Sequence, residues 1–154
     1  MGIRFDETDR RILEILQEDG RITMKKLGMD VHLSAPAVAD RVKRMEDAGI
    51  ICGYVAKVNP AVMGYKIKAS IVVMLHNGQK EAFLDFIEKE PDVIQADETP
   101  GKSDAILQVY SQDIEHFFAL ISRVRVYGET DSYIHMESYK NMPLLPVLRD
   151  ALEG

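Results

Sequence analysis

Three cations within four positions, Arg41, Lys43 and Arg44, and one polar turn, "TPGKSD" from Thr99 to Asp104, concentrate the chemistry of this chain. The cations follow Ser34, Ala35, Pro36 and Ala37 in "LSAPAVADRVKRMEDAGII". Small residues at the tip of a helix let it sit deep in a major groove, and cations further along meet phosphates. Asp40, Glu46 and Asp47 cancel the three positive charges, so composition alone leaves open a merely solvated helix face. In the turn, Gly101 reads first as a hairpin glycine that needs positive φ, and Asp104 as a carboxylate capping the turn.

The other reactive residues are scattered. His32, His76, His116 and His135 share no metal-ligand spacing, and a single cysteine, Cys52, excludes an internal disulfide framework and a multi-cysteine zinc site. Gly-rich phosphate loops and nucleophile elbows are missing, so no enzyme, cofactor or metal site is expected. The 154 residues carry a net charge of −6, with no apolar run long enough to span a bilayer and no signal-like amino terminus, which predicts a soluble, cytoplasmic protein. Residues 1–60 hold ten basic and ten acidic groups. Residues 61–154 hold nine basic against fifteen acidic, which accounts for the whole −6. A neutral head does not forbid DNA binding, because phosphates respond to the face presented to them, but a single copy should bind weakly.

The elements that position these residues fall into two sets. Up to Ile51 the apolar spacing is helical. "DETDRRILEILQEDG" puts Ile12, Leu13, Ile15 and Leu16 on one face, with Asp6 or Thr8 as start and Gly20 as stop. Thr23 caps a second helix carrying Met24, Leu27 and Val31. Ser34 caps a third, with Pro36 in its first turn, Val38, Val42 and Met45 inward, and Gly49 at its end. Three helices, the last two joined by "HLS", suit a helix-turn-helix with Ala35, Ala37, Asp40, Arg41 and Arg44 on its exposed face.

Residues 53–65 read as an extended linker strand after a first domain of 1–52. From residue 66 to 154 the order is β-α-β-β-α-β: strand Lys66–Leu75, helix "KEAFLDFIEKEP" with Phe83, Phe86 and Ile87 inward, strands "DVIQADET" and "DAILQVYS", helix "IEHFFALISRV", and strand "DSYIHMESY". This split arrangement predicts an α+β protein: a helix-turn-helix domain, then a ferredoxin-like α/β sandwich with two helices on one face of an antiparallel sheet. "ASIVVML" is apolar on both faces, so a second copy is expected to cover the other side as a C2 dimer. His135 alternates with Tyr133 and Glu137, which suits that partner face or a solvent face.

Read as a whole, "DETDRRILEILQEDGRITMKKLG", "LSAPAVADRVKRMEDAGII", "RVKRMEDAGIICGYVAKVNP" and "TPGKSDAILQV" resemble the leucine-responsive regulator/AsnC (feast/famine) family of bacterial and archaeal transcription factors. The resemblance covers nearly the whole chain. It implies a winged-type helix-turn-helix, a sandwich domain that dimerises through its sheet and assembles further, and an amino-acid or related effector bound between subunits. It implies DNA contact from Ser34, Ala35, Pro36, Ala37, Asp40, Arg41, Lys43 and Arg44, and an effector loop of Thr99, Gly101, Lys102, Ser103 and Asp104. Backbone amides at the glycine would take a carboxylate, and the aspartate an ammonium group. One departure stands out: an aromatic residue often precedes that aspartate in the family, and here Ser103 does, which makes the loop more polar and puts a leucine-type ligand in doubt. The lead "VYGETDSYIHMESYKNMP" into the last strand also departs from the usual pattern.

The competing expectation is an amino-acid-sensing module that binds no DNA and uses its helical head to dock protein; such a head would expose apolar residues on its third helix. If the head reads DNA, Arg41→Ala or Arg44→Ala should weaken binding with fold and dimer intact and reduce the salt slope by about one unit.

Overall fold

The structure, a computed structural model, describes residues 5–136, which form two compact units, 5–57 and 58–136. In the first unit, α1 (Glu7–Glu18) starts on Asp6, whose side chain accepts the Asp9 N–H while Asp9 reaches back to the Asp6 N–H, a reciprocal capping box. Thr23 caps α2 (Met24–Asp30), and Ser34 caps α3 (Ala35–Asp47) with its hydroxyl on the Ala37 N–H at 3.4 Å. Ile12, Ile15 and Leu16 of α1 pack with Leu27 of α2 and with Val38, Val42 and Met45 of α3. Each helix is too short to persist alone, so this shared core holds all three in place.

The α2–α3 turn is tight. Gly28 ends up against it: a Cβ there would lie 2.6 Å from the Leu33 carbonyl oxygen, which also accepts no slack, because the Leu33 N–H donates to the Gly28 carbonyl at 2.8 Å. His32 takes φ of 57° to close the turn.

Residues 53–59 form no strand, contrary to the extended linker strand read from the sequence, and no wing strand follows α3 before residue 67. The physical reason is pairing: a strand needs a hydrogen-bonded neighbour, and none pairs with it among the described residues. Tyr54 nevertheless donates its hydroxyl to Glu46 at 2.9 Å, tying this segment to α3; burial first, then that carboxylate, pushes the phenol up to about 12.

The second unit contains β1 (Ile67–Leu75), α4 (Lys80–Lys89), β2 (Val93–Glu98), β3 (Ala105–Ser111), α5 (Ile114–Val124) and β4 (Gly128–Ile134). The sheet order is β2-β3-β1-β4, antiparallel throughout, which is the expected split βαββαβ sandwich. β4 starts earlier than the hydrophobic pattern suggested. "GETD" has weak strand character, but Gly128 through Asp131 pair with Leu75 through Val72, and that pairing overrides propensity. The remainder of the predicted last strand, including Glu137, lies outside the described residues.

Alternation divides the sheet into two faces. Ala69, Ile71 and Val73 sit beside Ala105, Leu107 and Val109 and are buried with Phe83 of α4 and Phe117, Leu120, Ile121 and Val124 of α5. The opposite face carries Lys68, Ser70, Val72 and Met74 of β1, flanked by Ile106, Gln108 and Tyr110 of β3, all half-buried. Ser70 donates its hydroxyl to the Gln108 side-chain oxygen at 3.1 Å and lies 2.9 Å from His135 Nε2. A bulge at Val93/Gln95 shifts the β2 register and leaves Ile94 57% exposed.

Because backbone surrounds Gly28, Gly28→Ala should destabilise the first unit by about 1–3 kcal/mol through overpacking. Chemical denaturation measures it, and an unchanged midpoint would refute the close approach.

Candidate nucleic-acid interface and effector loop

The exposed surface of α3 is small and polar. Ser34, Pro36, Asp40, Lys43 and Arg44 are exposed, while Ala35, Ala37 and Arg41 are half-buried. Lys43 pairs with Asp47 at 3.1 Å, an exposed i,i+4 contact worth little. The arginines behave differently. Arg41 Nη1 donates to both Asp6 oxygens at 2.8 and 2.7 Å and to Asp9 Oδ1 at 2.9 Å. Arg44 Nη2 donates to Asp9 Oδ2 at 2.8 Å. Asp9 is 0% exposed, whereas the side chains of Arg41 and Arg44 are 26% and 43% exposed.

Asp9 was not singled out from the sequence, although a signal was there. It stands three residues before Ile12 and seven before Leu16, in the apolar stripe of α1. A carboxylate in such a stripe is expensive to bury unless donors meet it. Here three do: the Asp6 N–H and the two guanidinium groups. Arg41 is thus a tie between α1 and α3, and removing it is not a fold-neutral change as the sequence suggested.

Burial raises the Asp6 carboxyl, but the Arg41 hydrogen bond and the Asp9 N–H outweigh it and hold Asp6 below its ordinary value of 3.8. A depressed carboxylate contributes stability that is complete above its unfolded value and is lost as pH falls through the folded one. Asp6 and, after it, Asp9 hold Arg41 still more firmly charged.

In the second unit, the Thr99–Asp104 loop joins β2 to β3. The Thr99 N–H donates to the Asp104 carbonyl at 3.0 Å, and the Thr99 hydroxyl lies 2.9 Å from that of Ser103 and 3.2 Å from its carbonyl oxygen. The Asp104 N–H donates to the Val73 carbonyl at 2.9 Å, and its carboxylate accepts the Leu75 N–H at 2.7 Å. Asp104 therefore also fastens the loop to the end of β1. Gly101 takes φ of 146°, a conformation side chains avoid, and no atom lies within 4 Å of where a Cβ would stand. Lys102 is exposed, and nearby Lys80 pairs with Glu98 at 2.7 Å.

Two hollows mark this unit. One of about 170 Å³ is lined by Val58, Pro60, Met63, Tyr65, Pro91, Ile94 and Tyr110. Another, of about 430 Å³, lies over α4 beside Phe86 and Tyr127. The Thr99–Asp104 loop lines neither of these two hollows. Among the described residues, no helix is long and apolar enough to cross a membrane.

The chain is thus a capped helix-turn-helix followed by a four-stranded βαββαβ sandwich. The pattern of the AsnC-type helix-turn-helix domain matches residues 5–46, and that of the Lrp/AsnC ligand binding domain matches residues 68–145. The chain belongs to the Lrp/AsnC family of transcriptional regulators. It is 36% identical over 127 residues to the HTH-type transcriptional regulator Rv2324 of Mycobacterium tuberculosis, covering 79% of this chain and 83% of that one. With the HTH-type transcriptional regulator FL11 of Pyrococcus furiosus it shares 27% over 146 residues, 93% and 97% of the two chains. Among solved structures it resembles the transcriptional regulator NMB0573/L-Met complex from Neisseria meningitidis, with TM-score 0.84, 31% identity, and coverage of 92% and 96%.

Arg41→Ala should strip Asp9 of one charged donor and destabilise the first unit by about 1.5–3 kcal/mol. Denaturation at neutral pH tests this, and an unshifted midpoint contradicts the tie. With the Asp6 carboxylate gone, Asp6→Asn should show a shallower loss of stability below pH 3.8 than the wild type; identical acid limbs would remove Asp6 from the network.

Proposed function

We propose that the chain is a sequence-specific DNA-binding regulator of transcription whose DNA occupancy or assembly responds to an amino acid. The observation that carries the reading is the surface of α3: a capped helix whose exposed positions, Ser34, Pro36, Asp40, Lys43, Arg44, Glu46 and Asp47, include no large apolar side chain for docking protein. That surface favours DNA over a protein-docking head. Ser34, Ala35, Pro36 and Ala37 meet base edges, with Asp40 beside them, and Arg41, Lys43 and Arg44 meet phosphates. On this reading the role is regulatory and not catalytic, and it is exercised in the cytoplasm.

A homodimer that assembles further supports this role. The uncovered sheet face combines Val72, Met74, Ile106 and Tyr110 with exposed Ile94 and with Tyr133, which is 58% exposed. A second copy covers such a face, and two neutral heads on two half-sites compensate for weak binding by each. The effector is an amino acid held at Thr99, Gly101, Lys102, Ser103 and Asp104 once subunits enclose the loop: its carboxylate meets backbone N–H groups near Gly101, and its ammonium group meets the free oxygen of Asp104. The Neisseria relative, solved as an L-Met complex, supports an amino acid as the class. Ser103 and Lys102 favour a more polar one.

Selection of duplexes from random DNA by the purified protein, followed by gel shift, tests the DNA reading. Enrichment of a two-fold symmetric site is expected, and no enrichment above random sequence overturns it. Sedimentation at micromolar concentration should find a dimer or larger, and a monomer counts against the sheet interface.

For the effector, calorimetric titration of an amino-acid panel should find one ligand that Asp104→Ala binds roughly ten- to a hundredfold more weakly, as for a lost charged hydrogen bond. The variant's melting is followed in parallel because Asp104 also holds Leu75. Equal affinity in a folded variant removes Asp104 from the site.

A further inference from the structure

Arg41 and Arg44 carry two positive charges, and Asp6 and Asp9 carry two negative ones, so the cluster adds no net charge to the α3 surface. Free cations would attract phosphate more strongly. A neutral cluster contributes through direction instead. Arg41 spends Nη1 on the aspartates, leaving Nε and Nη2 without a protein acceptor among the described residues; Arg44 spends Nη2, leaving Nε and Nη1. Each planar guanidinium is therefore pinned at one corner while its other N–H groups remain available. The residue pinning both is Asp9, buried and immobile in the α1 stripe.

We propose that Asp9, assisted by Asp6, is a positioning residue for DNA recognition: it fixes the Arg41 and Arg44 guanidinium groups so that their remaining N–H donors meet phosphates in one register. The proposal rests on the DNA-binding reading above. Long flexible side chains lose rotamer freedom when they dock, and a pinned pair has lost it already, before DNA arrives. Phosphates held in one register in turn fix which base edges Ser34 to Ala37 face, so the carboxylate acts on discrimination more than on attraction.

Charge and geometry predict opposite effects, which makes the test sharp. Asp9→Asn adds one unit of positive charge to the head, so binding to random-sequence duplex should hold or rise. Affinity for a duplex selected by the wild-type protein should fall about tenfold, and the specific-to-random ratio with it. Arg41→Lys keeps the charge but replaces the planar fork with a single nitrogen that cannot present separate, fixed N–H groups to the aspartates and a phosphate, so it should lose a similar factor. The double variant should be little worse than either single one, since the same restraint is removed. Asp6→Asn is the control if Asp9→Asn does not fold: asparagine caps a helix as well as aspartate does, so only the restraint on Arg41 is lost. It should lower the ratio by a smaller factor.

Folded fractions are measured by circular dichroism alongside. An unchanged ratio in the folded variants overturns the proposal. A parallel fall of specific and random binding also overturns it, because that reports only lost folded protein. If the wild type selects no duplex, the DNA-binding reading fails and takes this proposal with it. If the wild type selects one and the ratio is insensitive to Asp9, the positioning role alone fails.

Discussion

A carboxylate shut away from water has to be met by donors, and the way Asp9 is met organises the helical head. Asp9 closes the capping box at the start of α1, which fixes where that helix begins. Its Oδ1 holds Arg41 and its Oδ2, shared with the capping box, holds Arg44, which fixes how α3 is turned against α1. The apolar contacts of Ile12, Leu27, Val38 and Met45 bring the helices together, but such contacts are non-directional and tolerate rotation. The charged fork does not, because a guanidinium meets a carboxylate in few geometries. One buried group thus joins the stability of the head to the orientation of its exposed surface.

The second unit solves a different problem. Its helices cover one side of the sheet and leave the other half-buried, with a small polar network, Ser70, Gln108 and His135, among Lys68, Val72, Met74, Ile106 and Tyr110. Such a network gives register to whatever lies against it, because its polar groups must be matched as well as covered. The Thr99–Asp104 loop is built the same way: Thr99, Ser103 and Asp104 are tied to one another and to β1.

The sequence alone determined the periodic and local features of this protein. Helix starts at Thr23 and Ser34, the inward stripe of α3, the βαββαβ order and the turn at Gly101 all follow from spacing and capping, which act over a few residues, whereas the choice between Asp6 and Thr8 for α1 fell to the structure. Family membership was legible for the same reason, since it rests on contiguous stretches. What only tertiary structure decided depends on residues far apart in the chain. Asp9 and Arg44 are separated by 35 positions, so nothing local shows that the arginines expected on an open face are fastened to a buried acid. Asp104 reads as a turn residue or a ligand group, and only folding brings the Leu75 N–H to it. The polar start of β4 becomes a strand, and the extended 53–59 does not, because pairing partners and not propensity decide strands, and a partner is supplied by the fold.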